Sequence, residues 1–201
     1  EIDHAKLIVI AESWLVCPLL VMALSFGLMA VVRFILNTFG SRSLLFQQAF
    51  GRLAILSACY VAYSMGANNA GNAVGPIANL NIVPPKLLLL IGGVSIAVGA
   101  ITYGEKVADT VGMGITPLDI PSAFVAHISS AFGMHLFSMF GIPVSTSSAI
   151  VGAVVGVGLN KSAKSISKKT IMTILIGWVL TPTLAGTLSF VLYRVITYVT
   201  G

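Results

Sequence analysis

Six long apolar segments make up most of this chain of 201 residues. Only 8% of the residues are charged, about a third of the share that is usual in soluble domains. A soluble fold of this size could not cover its core with so few polar side chains, and the mean hydropathy is +1.00. We therefore predict an all-α, polytopic transmembrane bundle, because helices satisfy their own backbone hydrogen bonds in lipid. The segments are 7–32, 53–80, 87–103, 122–140, 144–159 and 171–199.

The fifth segment is too short to cross the hydrocarbon core comfortably, since a spanning helix needs about 20 residues. It follows the fourth segment across only Gly141, Ile142 and Pro143. This pattern predicts a re-entrant hairpin, which enters and leaves the membrane on the same face. Most of the basic residues lie in the loops after the first, third and fifth segments, which predicts that those loops are cytoplasmic. We expect a multi-pass protein of the cell membrane, plasma or inner, and not a nucleic-acid binder.

Three asparagines in the second segment are unusual for a membrane span. Asn68, Asn69 and Asn72 stand among three glycines and Pro76. Proline lacks the N–H that would bond the carbonyl four residues earlier, and glycine lets nearby carbonyls turn away from the helix axis. The pattern predicts a discontinuous helix of the kind that forms ion and substrate sites in secondary transporters. Close helix packing through small residues is the alternative explanation.

Four consecutive hydroxyl residues follow Pro143 and Val144. They are Ser145, Thr146, Ser147 and Ser148. Proline suits the start of a helix and serine or threonine suits its cap, so a helix is predicted to begin here. Capping requires one hydroxyl, and the others are predicted to join the free N–H groups in binding an anion. The alternative is a capping cluster followed by a packing face of Ser148, Gly152 and Gly156.

The two motifs together, GANNAGNA at 66–73 and GIPVSTSS at 141–148, resemble a known signature. Sodium- or proton-coupled inorganic phosphate transporters of the PiT class carry GAND-x-x-NA and P-V/I-S-T-T/S once in each of two inverted repeats. The resemblance implies one half of an inverted-repeat transporter, the C-terminal half. It implies a single transmembrane domain over 1–201, with the first span and a cytoplasmic loop in 1–50 and the repeat that bears both motifs in 51–201. It also implies that phosphate lies near mid-membrane with cations beside it.

The site residues follow from the resemblance together with the chemistry of the side chains. For phosphate we expect Ser145, Thr146, Ser147 and Asn69. For sodium we expect Asn68, Asn72, Asn69 and Thr181. Amide oxygens suit a hard cation, and Asn69 can serve either ligand by turning its amide. Thr181 precedes Pro182, which frees a backbone carbonyl in the last segment; an ordinary proline kink is the alternative. Asn69 stands where the family usually has Asp, and Ser148 where His is frequent.

The predicted function is secondary active transport of inorganic phosphate, coupled to Na⁺ or H⁺ symport by alternating access. The alternatives are a passive anion channel or facilitator and a transporter of another tetrahedral oxyanion such as sulfate. An enzyme is not predicted, because the chain has no nucleophile–base pair or His/Glu metal signature. No cofactor is expected beyond the coupling ion. The expected partners are the lipid bilayer and the N-terminal half of the same transporter or an equivalent subunit. A homodimer of the whole transporter is left open.

Overall fold

The computed structural model describes residues 4–39, 44–78, 80 and 82–200. These residues form six α-helices and one short 3-10 turn, and no strand occurs among them. Each of the six predicted apolar segments falls on one helix, so the predicted all-α class is confirmed. The helices are α1 (His4–Phe39), α2 (Leu44–Ala78), α3 (Pro85–Gly114), α4 (Ile120–Met139), α5 (Thr146–Lys161) and α6 (Lys168–Thr200).

Within the described residues, four helices are long and apolar enough to cross a membrane: α1, α3, α4 and α6. At a rise of 1.5 Å per residue, the 16 residues of α5 extend about 24 Å, which is less than the hydrocarbon thickness of about 30 Å. The end of α5 returns to the start of α4, because Lys161 Nζ lies 2.9 Å from an Asp119 carboxylate oxygen. The two helices therefore form an antiparallel hairpin, as the re-entrant prediction requires, and its depth in the membrane stays a prediction.

The chain divides into two compact units, 1–166 and 167–201. In the first unit, α5 packs along α1, and α2 packs along α4. The helices α1 and α5 approach very closely, because a Cβ added at Gly152 or Gly156 would overlap the backbone of α1 at Pro18 or Met22. The packing face that was the alternative explanation for this part of the chain is thus present on α5 at Gly152 and Gly156. The second unit is the helix α6, which continues through Pro182.

One sequence prediction is wrong. The second segment was expected to be interrupted around Asn68 to Pro76, but α2 is a continuous helix of 35 residues. The side chains of Asn68 and Asn69 bond to Val144 and Thr146, so the helix backbone does not have to unwind to satisfy them. Tertiary packing of this kind routinely overrides the helix-breaking tendency of glycine. The interruption lies instead between α4 and α5, at residues 140–145.

Candidate functional site

The candidate site is built on the turn between α4 and α5. Helix α4 ends at Met139, and Gly141 then takes φ = 68°, a left-handed conformation that glycine adopts without steric cost. The Ser145 side chain is the N-cap of α5 and accepts a hydrogen bond from the Ser148 N–H at 3.3 Å. The predicted helix start at these hydroxyls is therefore confirmed. The turn presents the C-terminal end of one helix and the N-terminal end of the next to the same region.

Asn68 joins the turn to the C-terminal third of α2. Its Nδ2 donates to the Val144 carbonyl at 2.7 Å, and its Oδ1 accepts from the Val144 N–H at 3.2 Å. Both residues are buried. The Asn68 amide thus supplies both hydrogen-bond partners of the Val144 backbone, which lies between the two helices. A buried backbone group without such a partner would cost about 1–3 kcal/mol.

Asn69 brings the two sequence motifs into direct contact. The Thr146 hydroxyl donates to Asn69 Oδ1 at 3.1 Å, and Asn68 Nδ2 donates to the same oxygen at 2.9 Å. With its oxygen held by two donors, the NH₂ group of Asn69 is the part that can donate to a ligand. This orientation favours an anion over a cation at Asn69.

The four hydroxyls after Val144 have different partners. Ser145 caps the helix, and the Ser148 hydroxyl donates to the Ser145 carbonyl at 2.8 Å. Thr146 contacts Asn69, while Ser147 is exposed and lies 3.0 Å from the Ser145 hydroxyl, oxygen to oxygen. Two of the four therefore maintain the helix, and Thr146 and Ser147 are not required for capping.

The electrostatic character of the site comes from dipoles. The N-terminus of an α-helix carries partial positive charge and unpaired N–H groups, which together bind anions. Thr146 and Ser147 stand at the N-terminus of α5. Among the described residues, no three His, Cys, Asp or Glu side chains are grouped so that they could hold a metal ion.

A cavity of about 170 Å³ lies on the other side of Asn68. It is an open pocket between α2 and the end of α4 with the following turn, and Asn68 and Asn72 are the amides among its lining residues. The Ser138 hydroxyl oxygen is fully buried and has no hydrogen-bond partner. Sequence reasoning missed Ser138, since a single serine near the end of an apolar helix carries no distinctive pattern. The lining residues are Ala67, Asn68, Gly71, Asn72, Ser138, Gly141, Ile142 and Pro143.

The structure therefore brings most of the predicted site residues together. Asn68, Asn69 and Asn72 on α2 lie beside the turn that carries Ser145, Thr146 and Ser147. Thr181 belongs to the separate unit of α6, where it is exposed. Its predicted role as a sodium ligand stays a prediction.

Charged side chains stabilise the opposite end of the α4–α5 hairpin. Lys161 pairs with Asp119, and Arg33 on α1 donates to the backbone carbonyl of Asn160. Partial burial raises the pKa of the Asp119 carboxyl, but hydrogen bonds from Ser122 and Lys161 and the charge of Lys161 outweigh it. The pKa is therefore lowered from its ordinary value of 3.8. Lys161 lies in the last turn of α5, where a positive charge is favourable because the C-terminal end of a helix carries partial negative charge.

Comparison with known proteins identifies the family. The sequence model of the phosphate transporter family matches residues 1–189. The chain belongs to this family. It is a family of transporters, not of enzymes, and with four helices suited to span a membrane the chain is an integral membrane protein.

Individual relatives agree with this assignment. A Pyrococcus furiosus protein named as a phosphate permease is 35% identical over 166 residues, which are 77% of this chain and 40% of that protein. The human sodium-dependent phosphate transporter 1 is 34% identical over 78% of this chain and 24% of its own length. A solved structure of a sodium-dependent phosphate transporter matches with a TM-score of 0.73 at 28% identity, covering 90% of this chain and 64% of the solved one. The chain thus spans about two fifths of the length of the archaeal relative.

Proposed function

We propose that this chain takes part in secondary active transport of inorganic phosphate across the cell membrane, driven by symport of Na⁺. One observation carries the proposal: two motifs about seventy residues apart meet at the N-terminus of α5, where Thr146 bonds Asn69. The relatives named as phosphate permeases and sodium-dependent phosphate transporters support the substrate and the coupling ion.

Phosphate would be held by neutral donors. The hydroxyls of Ser147 and Ser145, the N–H groups of the first turn of α5 and the NH₂ group of Asn69 are hydrogen-bond donors within one small region. The Thr146 hydroxyl donates to Asn69 Oδ1 in this structure and would turn its hydrogen toward phosphate when phosphate binds. Neutral donors can release their ligand without leaving a buried, uncompensated cation, which would be costly in lipid. A transporter has to release its substrate on every cycle, so this chemistry suits transport.

The four predicted sodium residues do not fit equally well. Asn68 already uses its nitrogen and its oxygen on Val144, and the oxygen of Asn69 accepts two donors. Asn72 lines the cavity beside them and is the best placed of the three to ligate a cation. For Thr181, the proposal rests on the sequence alone. Alternating access would be completed by the N-terminal half of the transporter or an equivalent subunit.

The proposal is tested by phosphate uptake with Thr146→Val and Ser147→Ala in the full-length protein. Thr146→Val leaves the cap at Ser145 untouched, whereas Ser147→Ala also removes the hydroxyl that contacts the Ser145 hydroxyl but leaves the capping bond from the Ser148 N–H in place. Thr102→Val is the matched control, because the Thr102 hydroxyl bonds only the backbone of its own helix, α3. We expect radiolabelled phosphate uptake to fall by at least tenfold in Thr146→Val, as expected for about 1.4 kcal/mol of lost binding, with the control unchanged and all variants equally expressed. Normal uptake in both variants would contradict the proposal.

The same phosphate-uptake assay distinguishes the proposed function from the alternative functions. Replacing external Na⁺ by choline should abolish uptake if Na⁺ drives it, whereas a proton gradient would sustain uptake in a proton symporter. A passive anion channel would show flux that neither saturates nor depends on a cation. Competition by excess sulfate would favour a carrier of other tetrahedral oxyanions.

A further inference from the structure

We infer that the neighbouring C-terminal ends of α1 and α5 bind an anionic phospholipid, with its headgroup phosphate held by Arg33, Lys161 and Lys164. These residues lie at the opposite end of α5 from Thr146 and Ser147, where the candidate phosphate site is. The inference is independent of the proposed function, because a bound lipid of the membrane requires neither transported phosphate nor Na⁺.

The ends of the two helices lie side by side. Arg33 donates through Nη1 to the backbone carbonyl of Asn160, and Asn160 Nδ2 donates to the Phe26 carbonyl of α1 at 3.2 Å. The apolar segments of the two helices stop at Val32 and Leu159. Both helices therefore leave their apolar segments at the same level, as is expected where the hydrocarbon core of a bilayer meets the lipid headgroups.

Arg33 retains N–H donors for a ligand. Both of its side-chain hydrogen bonds to Asn160 use Nη1, and a guanidinium also carries N–H groups on Nη2 and Nε. Such a group can bind phosphate through two parallel hydrogen bonds. Arg33 and Lys164 are both exposed, and neither forms an ion pair with another residue that the structure describes. Both side chains can therefore reach a phosphate group at the membrane surface.

The charge of this surface favours an anion. The Asp119 carboxylate lies 2.9 Å from Lys161 Nζ, so this pair is close to neutral. Arg33 and Lys164 then leave the surface positive. The distribution of basic residues predicts that this end of the bundle is cytoplasmic. The cytoplasmic leaflet of a membrane contains anionic lipids that attract lysine and arginine side chains.

Apolar side chains are exposed beside the basic ones, on the side of the membrane interior. Phe26 of α1 is 45% exposed and Leu159 of α5 is 40% exposed, and the hydrogen bond from Asn160 to Phe26 holds the two helices together at this point. An acyl chain can pack on these side chains while its headgroup contacts Arg33. A free phosphate ion would gain nothing from them. The combination therefore favours a phospholipid over a free anion.

The test is native mass spectrometry of the purified full-length protein, which resolves bound phosphatidylglycerol molecules and gives the Kd of the first one. We expect Arg33→Gln and Lys164→Gln each to raise this Kd by about fivefold, the size expected for one basic side chain at an anionic lipid surface. Arg33→Lys keeps the charge and should retain most of the binding. Lys86→Gln is the matched control, because it removes an exposed lysine at the start of α3, on the predicted opposite face of the membrane. Its Kd should be unchanged.

Asp119→Asn gives a test with the opposite sign. Asparagine is as good an N-cap as aspartate, so α4 should keep its start. Loss of the carboxylate leaves the Lys161 ammonium available to the lipid phosphate, and phosphatidylglycerol should bind more tightly than it does to the wild type. Weaker binding in Asp119→Asn would contradict the inference.

Two comparisons decide which ligand these residues bind. Phosphatidylcholine, which has no net charge, should bind more weakly than phosphatidylglycerol, and inorganic phosphate should not displace the bound lipid. Equal Kd values for the two lipids, or displacement by inorganic phosphate, would overturn the inference. An unchanged Kd in both Arg33→Gln and Lys164→Gln would also overturn it. Lys164 is exposed, so Lys164→Gln should fold even if Arg33→Gln does not.

Discussion

Asn68 holds Val144 by both of its backbone groups, at 2.7 Å through the carbonyl and at 3.2 Å through the N–H. This pair fixes the turn between α4 and α5 against the C-terminal third of α2. It thereby sets the position of the N-terminus of α5, where the donor hydroxyls lie, and the position of the cavity beside Ser138. A substitution at Asn68 should affect both ligands.

Asn68→Ala should lower stability and weaken ligand binding together. It removes two hydrogen bonds and leaves the buried N–H and carbonyl of Val144 without partners, which costs about 1–3 kcal/mol for each unsatisfied group. Thermal unfolding of the purified protein in detergent should show a clear drop in Tm. The matched control is Asn37→Ala, which removes an exposed asparagine of α1. An equal Tm for wild type and Asn68→Ala would show that the pair does not stabilise the turn.

Gly156→Ala should destabilise the contact between α1 and α5. An added Cβ would overlap the Met22 carbonyl and the Ser25 hydroxyl, and overpacking of this kind typically costs about 1–3 kcal/mol. Gly27→Ala is the control, because a Cβ there meets nothing within 4 Å. Alanine in an open helical position should be neutral or stabilising by up to about 1 kcal/mol. We therefore expect the Tm to fall in Gly156→Ala and to stay the same or rise in Gly27→Ala. A Tm of Gly156→Ala above that of the wild type would contradict the close approach of α1 and α5.

Asn69→Asp should make phosphate binding depend more strongly on Na⁺. The new carboxylate would lie next to the Thr146 hydroxyl, which now bonds the Asn69 oxygen at 3.1 Å. At low Na⁺ it should repel phosphate, and at high Na⁺ a bound cation should offset that repulsion. Radiolabelled phosphate binding at several Na⁺ concentrations measures the effect, with Asn37→Asp as the control for added charge. Equal phosphate affinity in Asn69→Asp and wild type at every Na⁺ concentration would place the anion away from Asn69.

The ion pair of Asp119 and Lys161 should contribute stability that depends on pH. Because the pKa of Asp119 is lowered in the folded protein, the contribution is present above the unfolded pKa of 3.8 and is lost as pH falls through the folded value. The Asp119 side chain is 60% exposed, so the contribution should stay below about 1 kcal/mol. The difference in Tm between wild type and Asp119→Asn should be small at pH 7 and should disappear well below pH 4. A difference that grew at low pH would contradict the lowered pKa.

The positions of the helices could be predicted from the sequence, and some details of the site could not. Long apolar segments and the Pro143–Ser145 start signal act locally, so they correctly indicated the six helices and the beginning of α5. The break expected in α2 was wrong because the partner of Asn68 is Val144, which is distant in the sequence and invisible to local rules. Ser138 was missed for the same reason. Its environment depends on how the end of α4 meets α2.

The sequence also did not show that the three asparagines have different roles. All three were treated as ligands, because an amide deep in a membrane span needs a partner. The structure gives Asn68 a backbone partner and turns the oxygen of Asn69 toward Thr146. Only the three-dimensional arrangement shows which amide atoms are already engaged.

The most direct test of the central claim is an experimental structure of the full-length protein with Na⁺ and phosphate bound. The account predicts tetrahedral density within hydrogen-bond distance of the Thr146 and Ser147 hydroxyls, and a separate spherical density beside Asn72. Phosphate bound elsewhere, with Thr146 and Ser147 facing lipid, would contradict it.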